Sequence, residues 1–177
     1  CEDLDLPDGP TRVVRAEDSS LVLFSGNAPR YFASRGADFR HLKRDCIAPA
    51  LTSADNLTPQ SYENWEWLWS LYRDGSTWHA LIHNEFHDTL GALCKVGDPS
   101  PANPCWYNSI TYAVSTDGGH TFTKPLAPAH VVAAAPHVWT APTPSTPLDG
   151  YYYFEGYRAP SNIVKGPDDY YYSMIDL

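Results

Sequence analysis

Two aromatic runs joined by an Asp-Gly turn constrain this chain more than any other stretch. Trp65-Glu66-Trp67-Leu68-Trp69-Ser70-Leu71-Tyr72 is followed by Arg73-Asp74-Gly75-Ser76, then by Thr77-Trp78-His79-Ala80-Leu81-Ile82-His83-Asn84-Glu85. Aromatic and β-branched residues fit a pleated, half-buried surface, and Asp-Gly between two such runs is a strong hairpin signal. The second run continues into His83-Asn84-Glu85-Phe86-His87-Asp88. A solvated strand end carries unrelated polar residues, so this cluster is the first candidate for chemistry.

The remainder repeats the theme. Thr11 to Ala16 and Ser20 to Ser25 flank Glu17-Asp18-Ser19 as a second hairpin. Residues 26–48 are rich in Arg and Asp and read as a charged loop. Residues 49–63 are turn-like with room for a short helix. Tyr107 to Ser115 alternates as a half-buried strand, and His130 to Ala135 is another strand. Tyr151 to Tyr157, Ser161 to Lys165 and Tyr170 to Ile175 complete the set, the last two joined by Gly166-Pro167-Asp168-Asp169. Sixteen prolines, eleven glycines and one Met leave little room for long helices. The expected class is all-β. Hairpin units recurring with long inserts fit radially arranged four-stranded sheets, and a two-sheet β-sandwich fits the same pattern.

A net charge of −9 disfavours a nucleic-acid partner, because phosphate binding needs a basic face. No apolar run reaches the roughly 18 residues of a membrane span. Four cysteines, Cys1, Cys46, Cys94 and Cys105, occur without a Cys-x-x-Cys pair. An even count of this kind fits two disulfides in a secreted or cell-surface protein better than a zinc site. Of three pairings, Cys94 with Cys105 would close the Pro/Gly-rich loop Lys95 to Pro104, leaving Cys1 for Cys46. A lipidated Cys1 is the alternative and would leave Cys46 unpaired. Asn56-Leu57-Thr58 is a glycosylation sequon, with Asn56 the acceptor.

Ser115-Thr116-Asp117-Gly118-Gly119-His120-Thr121-Phe122 resembles the Asp-box of sialidase-like propellers, Ser-x-Asp-x-Gly-x-Thr-Trp/Phe. Further resembling segments are His83-Asn84-Glu85, Cys105-Trp106-Tyr107-Asn108 and Pro160-Ser161-Asn162-Ile163-Val164. The layout is similar to secreted propeller glycoside hydrolases, both the five-bladed arabinanase type and the six-bladed sialidases. The resemblance implies a β-propeller, with blades over roughly 10–60, 61–128 and 129–177, and an Asp-box far from the active site. A five-bladed propeller needs on the order of 250–300 residues. The expectation is therefore either a single β domain of 177 residues or the N-terminal part of a propeller, completed by a second chain or a missing segment.

The resemblance further implies a carbohydrate partner and glycosidic hydrolysis by two carboxyl groups. The alternative is a non-catalytic carbohydrate-binding or structural extracellular protein of the same fold. Glu85, Glu155 and Asp45 are the candidate catalytic carboxyls; Glu155 lies among aromatics in Phe154-Glu155-Gly156-Tyr157-Arg158, where desolvation would suit an acid. Arg35, His83, Asn84, Tyr107, Asn108 and Asn162 are candidate sugar ligands, since Arg forks and amides match hydroxyls and carboxylates. His83, Glu85 and His87 at i, i+2 and i+4 share one strand face and could form a metal triad, but no metal and no cofactor is expected. Gly-x-Ser-x-Gly, phosphate-loop and dinucleotide signatures are absent.

Overall fold

The computed structural model describes residues 7–87, 106–139 and 154–177. The protein is all-β, with several mainly antiparallel sheets and none closed among the described residues. Thirteen strands follow in order among the described residues. They are β1 (Arg12–Arg15), β2 (Leu21–Phe24), β3 (Arg30–Tyr31), β4 (Ala33–Gly36), β5 (Lys43–Arg44), β6 (Leu51–Thr52), β7 (Trp65–Asp74) and β8 (Thr77–His87). After them come β9 (Trp106–Ser115), β10 (Val131–Ala133), β11 (Phe154–Gly156), β12 (Val164–Lys165) and β13 (Tyr171–Tyr172). A short 3-10 turn at Pro59–Ser61 is the helical content among the described residues.

Two four-stranded antiparallel meanders organise the chain. The first has the order β1-β2-β4-β5, the second β10-β9-β8-β7, with β11 added parallel to β9. β3 and β6 form a separate two-stranded pair, as do β12 and β13. The Arg/Asp-rich stretch expected as a loop thus contains β3, β4 and β5. Its alternating polar residues are those of short strands with one wet side, and Tyr31 and Ala33 anchor it in the core.

The aromatic hairpin forms as its turn chemistry predicts. β7 pairs with β8 from Trp65↔Glu85 to Asp74↔Thr77, and Gly75 takes φ 60 in the connection. One bulge interrupts the ladder: Leu68 faces Ile82 and Ser70 faces Leu81, so Trp69 is the extra residue. Each strand has a period of two, which divides the sheet into two faces. Leu68, Trp78, Ala80, Ile82 and Ala113 fill the core face and pack on Val22, Phe24 and Ala33 of the first meander. Phe24 is the hub, meeting Trp78 edge-on at 6.3 Å and Phe122 at 5.7 Å. The opposite face of β8 carries His79, Leu81, His83, Glu85 and His87, and this is where the candidate site lies.

Ser115 to Phe122 folds around the tight turn expected at Asp117-Gly118-Gly119. Asp117 Oδ1 accepts from Ser115 Oγ at 2.7 Å and from the amides of His120 and Thr121 at 3.0 Å each, and Thr121 Oγ1 donates to Oδ2 at 2.6 Å. Burial opposes the charge, yet these donors hold the carboxyl at about 2. Gly118 and Gly119 take φ 72 and 79, which side chains rarely adopt. Phe122 leaves the turn for the core, and its amide donates to Ala50 O at 2.8 Å.

Cys46 is disulfide-bonded, and no described cysteine is free. Its partner is Cys1, Cys94 or Cys105, all outside the described residues, as is the expected loop Lys95 to Pro104. Asn56 is half-buried and its Oδ1 accepts from the Thr58 amide at 3.0 Å. No helix among the described residues is long and apolar enough to cross a membrane.

Candidate functional site

The register of β7, β8 and β9 places Trp65, Glu85 and Asn108 in one row across the sheet, with Trp67, His83 and Ile110 in the next row on the same face. Glu85 is central. A carboxylate only accepts, so the imidazoles donate to it: His83 Nε2 to Oε1 at 2.7 Å and His87 Nε2 to Oε2 at 2.8 Å. Burial alone would raise this carboxyl, but the two imidazole donors outweigh it and lower it to about 2. Glu85 is thus ionised at neutral pH.

The far nitrogen of His83 is also engaged. The Ala159 amide donates to Nδ1 at 3.3 Å. Nδ1 therefore carries no proton and Nε2 does, which fixes the tautomer that serves Glu85. Ala159 holds φ 50, and Ser70 Oγ lies 2.9 Å from Pro160 O and 2.6 Å from Ser161 O. Residues 159–161 consequently run as a strap across this face. His83 is 4% exposed, Glu85 16% and His87 24%, so the cluster opens to solvent on the His87 side.

Aromatics frame it. Trp65 stacks on His87 at 5.3 Å with planes 11° apart, and Trp69 meets His83 at 4.8 Å. Trp69 reaches His83 because of the bulge, which is invisible in the alternation of the sequence. Trp65 and Trp69 are functional candidates absent from the expected set; Trp65, and Trp67 beside it, are marked by their alternate positions opposite Glu85 and His83, whereas Trp69 has no such signal.

The core face supports the strand end. Asn84 is fully buried there: its Oδ1 accepts from the Asn64 amide at 2.9 Å and its Nδ2 donates to Ser109 Oγ at 3.0 Å. Asn64 Oδ1 in turn accepts from the His87 amide at 2.9 Å. Asn84 thus positions the strand that carries Glu85, from the face opposite the Glu85 side chain. Tyr107 is likewise buried, packed with Phe86 and Trp139.

Asn108 is 3% exposed, and its Oδ1 has no partner among the described residues. β11 lies against it, Gly156 beside Asn108 and Glu155 beside Tyr107. A Cβ at Gly156 would strike the backbone oxygen of Asn108, so only glycine permits this approach. The backbone of Glu155 is thereby one residue out of step with the row of Glu85.

The other expected residues lie apart. Arg35 donates to Gly118 O at 3.1 Å and lines an open cleft of about 900 Å³ with Asp18 and His120. Asp45 pairs with His120 at 3.8 Å. Both therefore gather at the end of the sheet formed by the Ser115–Phe122 turn. Asn108 and Ser115 are seven residues apart on β9, roughly 23 Å at strand rise, so the two groups cannot share one sugar ring. Asn162 is exposed beyond the strap.

Chemically, the cluster is an ionised acceptor beside an aromatic plate. The metal triad anticipated from spacing does come together, but both Nε2 atoms are aimed at the carboxylate oxygens, and no described group of three His, Cys, Asp or Glu could hold a metal ion. No protein-family model matches the chain, and the curated proteins and solved structures give no match to it.

Proposed function

We propose that this chain is a carbohydrate-active protein of β-propeller architecture, and that a saccharide binds on the site face across Trp65, Glu85 and His87. The observation that carries this reading is the pairing of the ionised Glu85 carboxylate with the stacked Trp65–His87 plate at a solvent-facing sheet edge. Ring faces take the apolar side of a sugar, and a charged acceptor forms strong hydrogen bonds with hydroxyls. The propeller reading is supported by two consecutive four-stranded meanders packed face to face, with β1 against β7. A secreted setting is supported by the disulfide at Cys46.

Glycosidic hydrolysis requires one carboxyl to donate a proton. A group held near 2 carries none at neutral pH, so Glu85 suits a base or a positioning role and the acid must come from elsewhere. Glu155 is the carboxyl of the sequence reading closest to this row in register. The charge state of Glu85 accordingly favours binding without cleavage, and hydrolysis is the second reading.

The test is a screen of oligosaccharides by calorimetry, with reducing-sugar release followed in parallel, on the protein and on Glu85→Gln. Binding lost in Glu85→Gln without sugar release supports the binding form. Release abolished by both Glu85→Gln and Glu155→Gln supports hydrolysis. Absence of any saccharide binding, or binding unchanged by Glu85→Gln, overturns the proposal.

A further inference from the structure

A second cavity lies on the same sheet face, beyond the strap. It measures about 270 Å³ and sits between β8, β9 and the β12–β13 hairpin. Leu81, Val132, Ile163 and Ile175 supply its apolar lining. Three tyrosines share the wall, and each is fixed at its polar end. Tyr112 hydroxyl bonds His79 Nδ1 at 2.7 Å, Tyr171 hydroxyl donates to Asp74 Oδ2 at 2.8 Å, and Tyr172 hydroxyl donates to Asp168 Oδ2. His79 lies between Tyr112 and Tyr171, with ring centroids at 5.9 and 5.8 Å. Its Nε2 has no protein partner among the described residues.

These features define a ligand class. Tethered rings are walls that need little ordering on binding. Among the described residues no Asp, Glu, Lys or Arg lines the cavity, so a charged ligand would be desolvated without a counter-charge. The volume lies below the 300–1,000 Å³ usual for drug-sized ligands, while an apolar cavity of about 150 Å³ already accepts benzene. That range fits one substituted ring. Ser173 also lines the cavity, but its Oγ already donates to Ser161 O at 2.9 Å, so the imidazole nitrogen provides the open polar contact.

We propose that this cavity binds a neutral, single-ring aromatic molecule bearing one hydroxyl, with the ring among Tyr112, Tyr171 and Leu81 and the hydroxyl on His79 Nε2. The inference is independent of the saccharide reading, because the cavity shares no residue with the Glu85 cluster. A phenol carries a single polar group, and the imidazole nitrogen can satisfy it inside the cavity.

The test is titration with p-cresol and with toluene, followed by methyl NMR shifts of Leu81, Val132, Ile163 and Ile175. Saturable shifts with p-cresol, about tenfold weaker with toluene, are expected. Val132 is half-exposed, so Val132→Trp can fill the cavity mouth without disturbing the core and should abolish the shifts. His79→Phe keeps a ring in place and should bring p-cresol down to the toluene affinity. Circular dichroism establishes that both variants are folded. Non-saturable shifts, unchanged binding in Val132→Trp, or p-cresol and toluene binding alike to the unaltered protein would overturn the proposal.

Discussion

The indole of Trp65 and the imidazole of His87 lie nearly parallel, 5.3 Å apart and 11° from coplanar, although they sit on different strands. The register Trp65↔Glu85 accounts for this: His87 follows Glu85 by two residues and leans back over Trp65. The stack fixes the ring whose Nε2 holds one oxygen of Glu85. Aromatic plate and carboxylate are therefore a single rigid unit, built by the first residues of β7 and the last of β8.

Trp65→Ala should weaken saccharide binding by about tenfold, or about 1.4 kcal/mol. Trp65→Phe should cost about threefold, because a smaller ring still stacks. Calorimetry on the two variants checks the order. Equal affinity of Trp65→Ala and the parent would remove Trp65 from the site.

The lowered Glu85 carboxyl links stability to acid. Its folded value of about 2 lies below the ordinary 4.5, so its contribution is complete above about pH 4.5 and disappears as pH falls towards 2. For a group that keeps some contact with water this contribution is on the order of 2 kcal/mol. Urea midpoints from pH 6 to pH 2.5 should fall more steeply for the parent than for Glu85→Gln. Parallel curves would show that the carboxylate is not held by its imidazoles.

Much of the architecture was legible in the chain because it is local. Asp74-Gly75 specified the hairpin, and alternation specified β9. The strands β3, β4 and β5 were not legible, since Arg- and Asp-rich pairs become strands only when a neighbouring meander supplies partners. The site was half legible: period two put His83, Glu85 and His87 together. It gave no sign that the bulge at Trp69 would bring an indole onto His83, nor that a backbone amide 76 positions away would hold His83 Nδ1. Asn84 looked like a ligand beside Glu85, yet adjacent strand residues face opposite sides, and its amide belongs to the buried frame.

The two glycines of the Ser115–Phe122 turn should respond differently to alanine. Both have positive φ, costing roughly 1 kcal/mol for any side chain. At Gly118 a Cβ meets open space; at Gly119 it would lie 2.6 Å from Trp78 and 3.1 Å from Phe24. Gly118→Ala should cost about 1 kcal/mol and Gly119→Ala about 3, since overpacking adds 1–3. Neither should alter saccharide affinity, because the turn lies at the other end of β9. Denaturant unfolding and calorimetry read the two effects separately.

The ion pair of Glu66 and Lys124 allows a sharper experiment. Glu66 is fully buried, and Lys124 Nζ reaches its oxygens at 2.8 and 2.9 Å and Glu63 at 3.2 Å. Burial raises the Glu66 carboxyl, and Lys124 counters it. Lys124→Met would strand a charge in the core and should cost about 3–5 kcal/mol at pH 7. Glu66→Gln leaves Lys124 its Glu63 partner and should cost about 1 kcal/mol. The double variant Glu66→Gln/Lys124→Met should recover part of the single-variant loss, because no unpaired charge remains. The pH dependence has a definite sign. In Lys124→Met the raised carboxyl resists ionisation in the folded state, so stability should decline as pH rises above the ordinary 4.5, while the double variant stays flat. A double variant as unstable as Lys124→Met would mean that the lysine stem matters more than its charge.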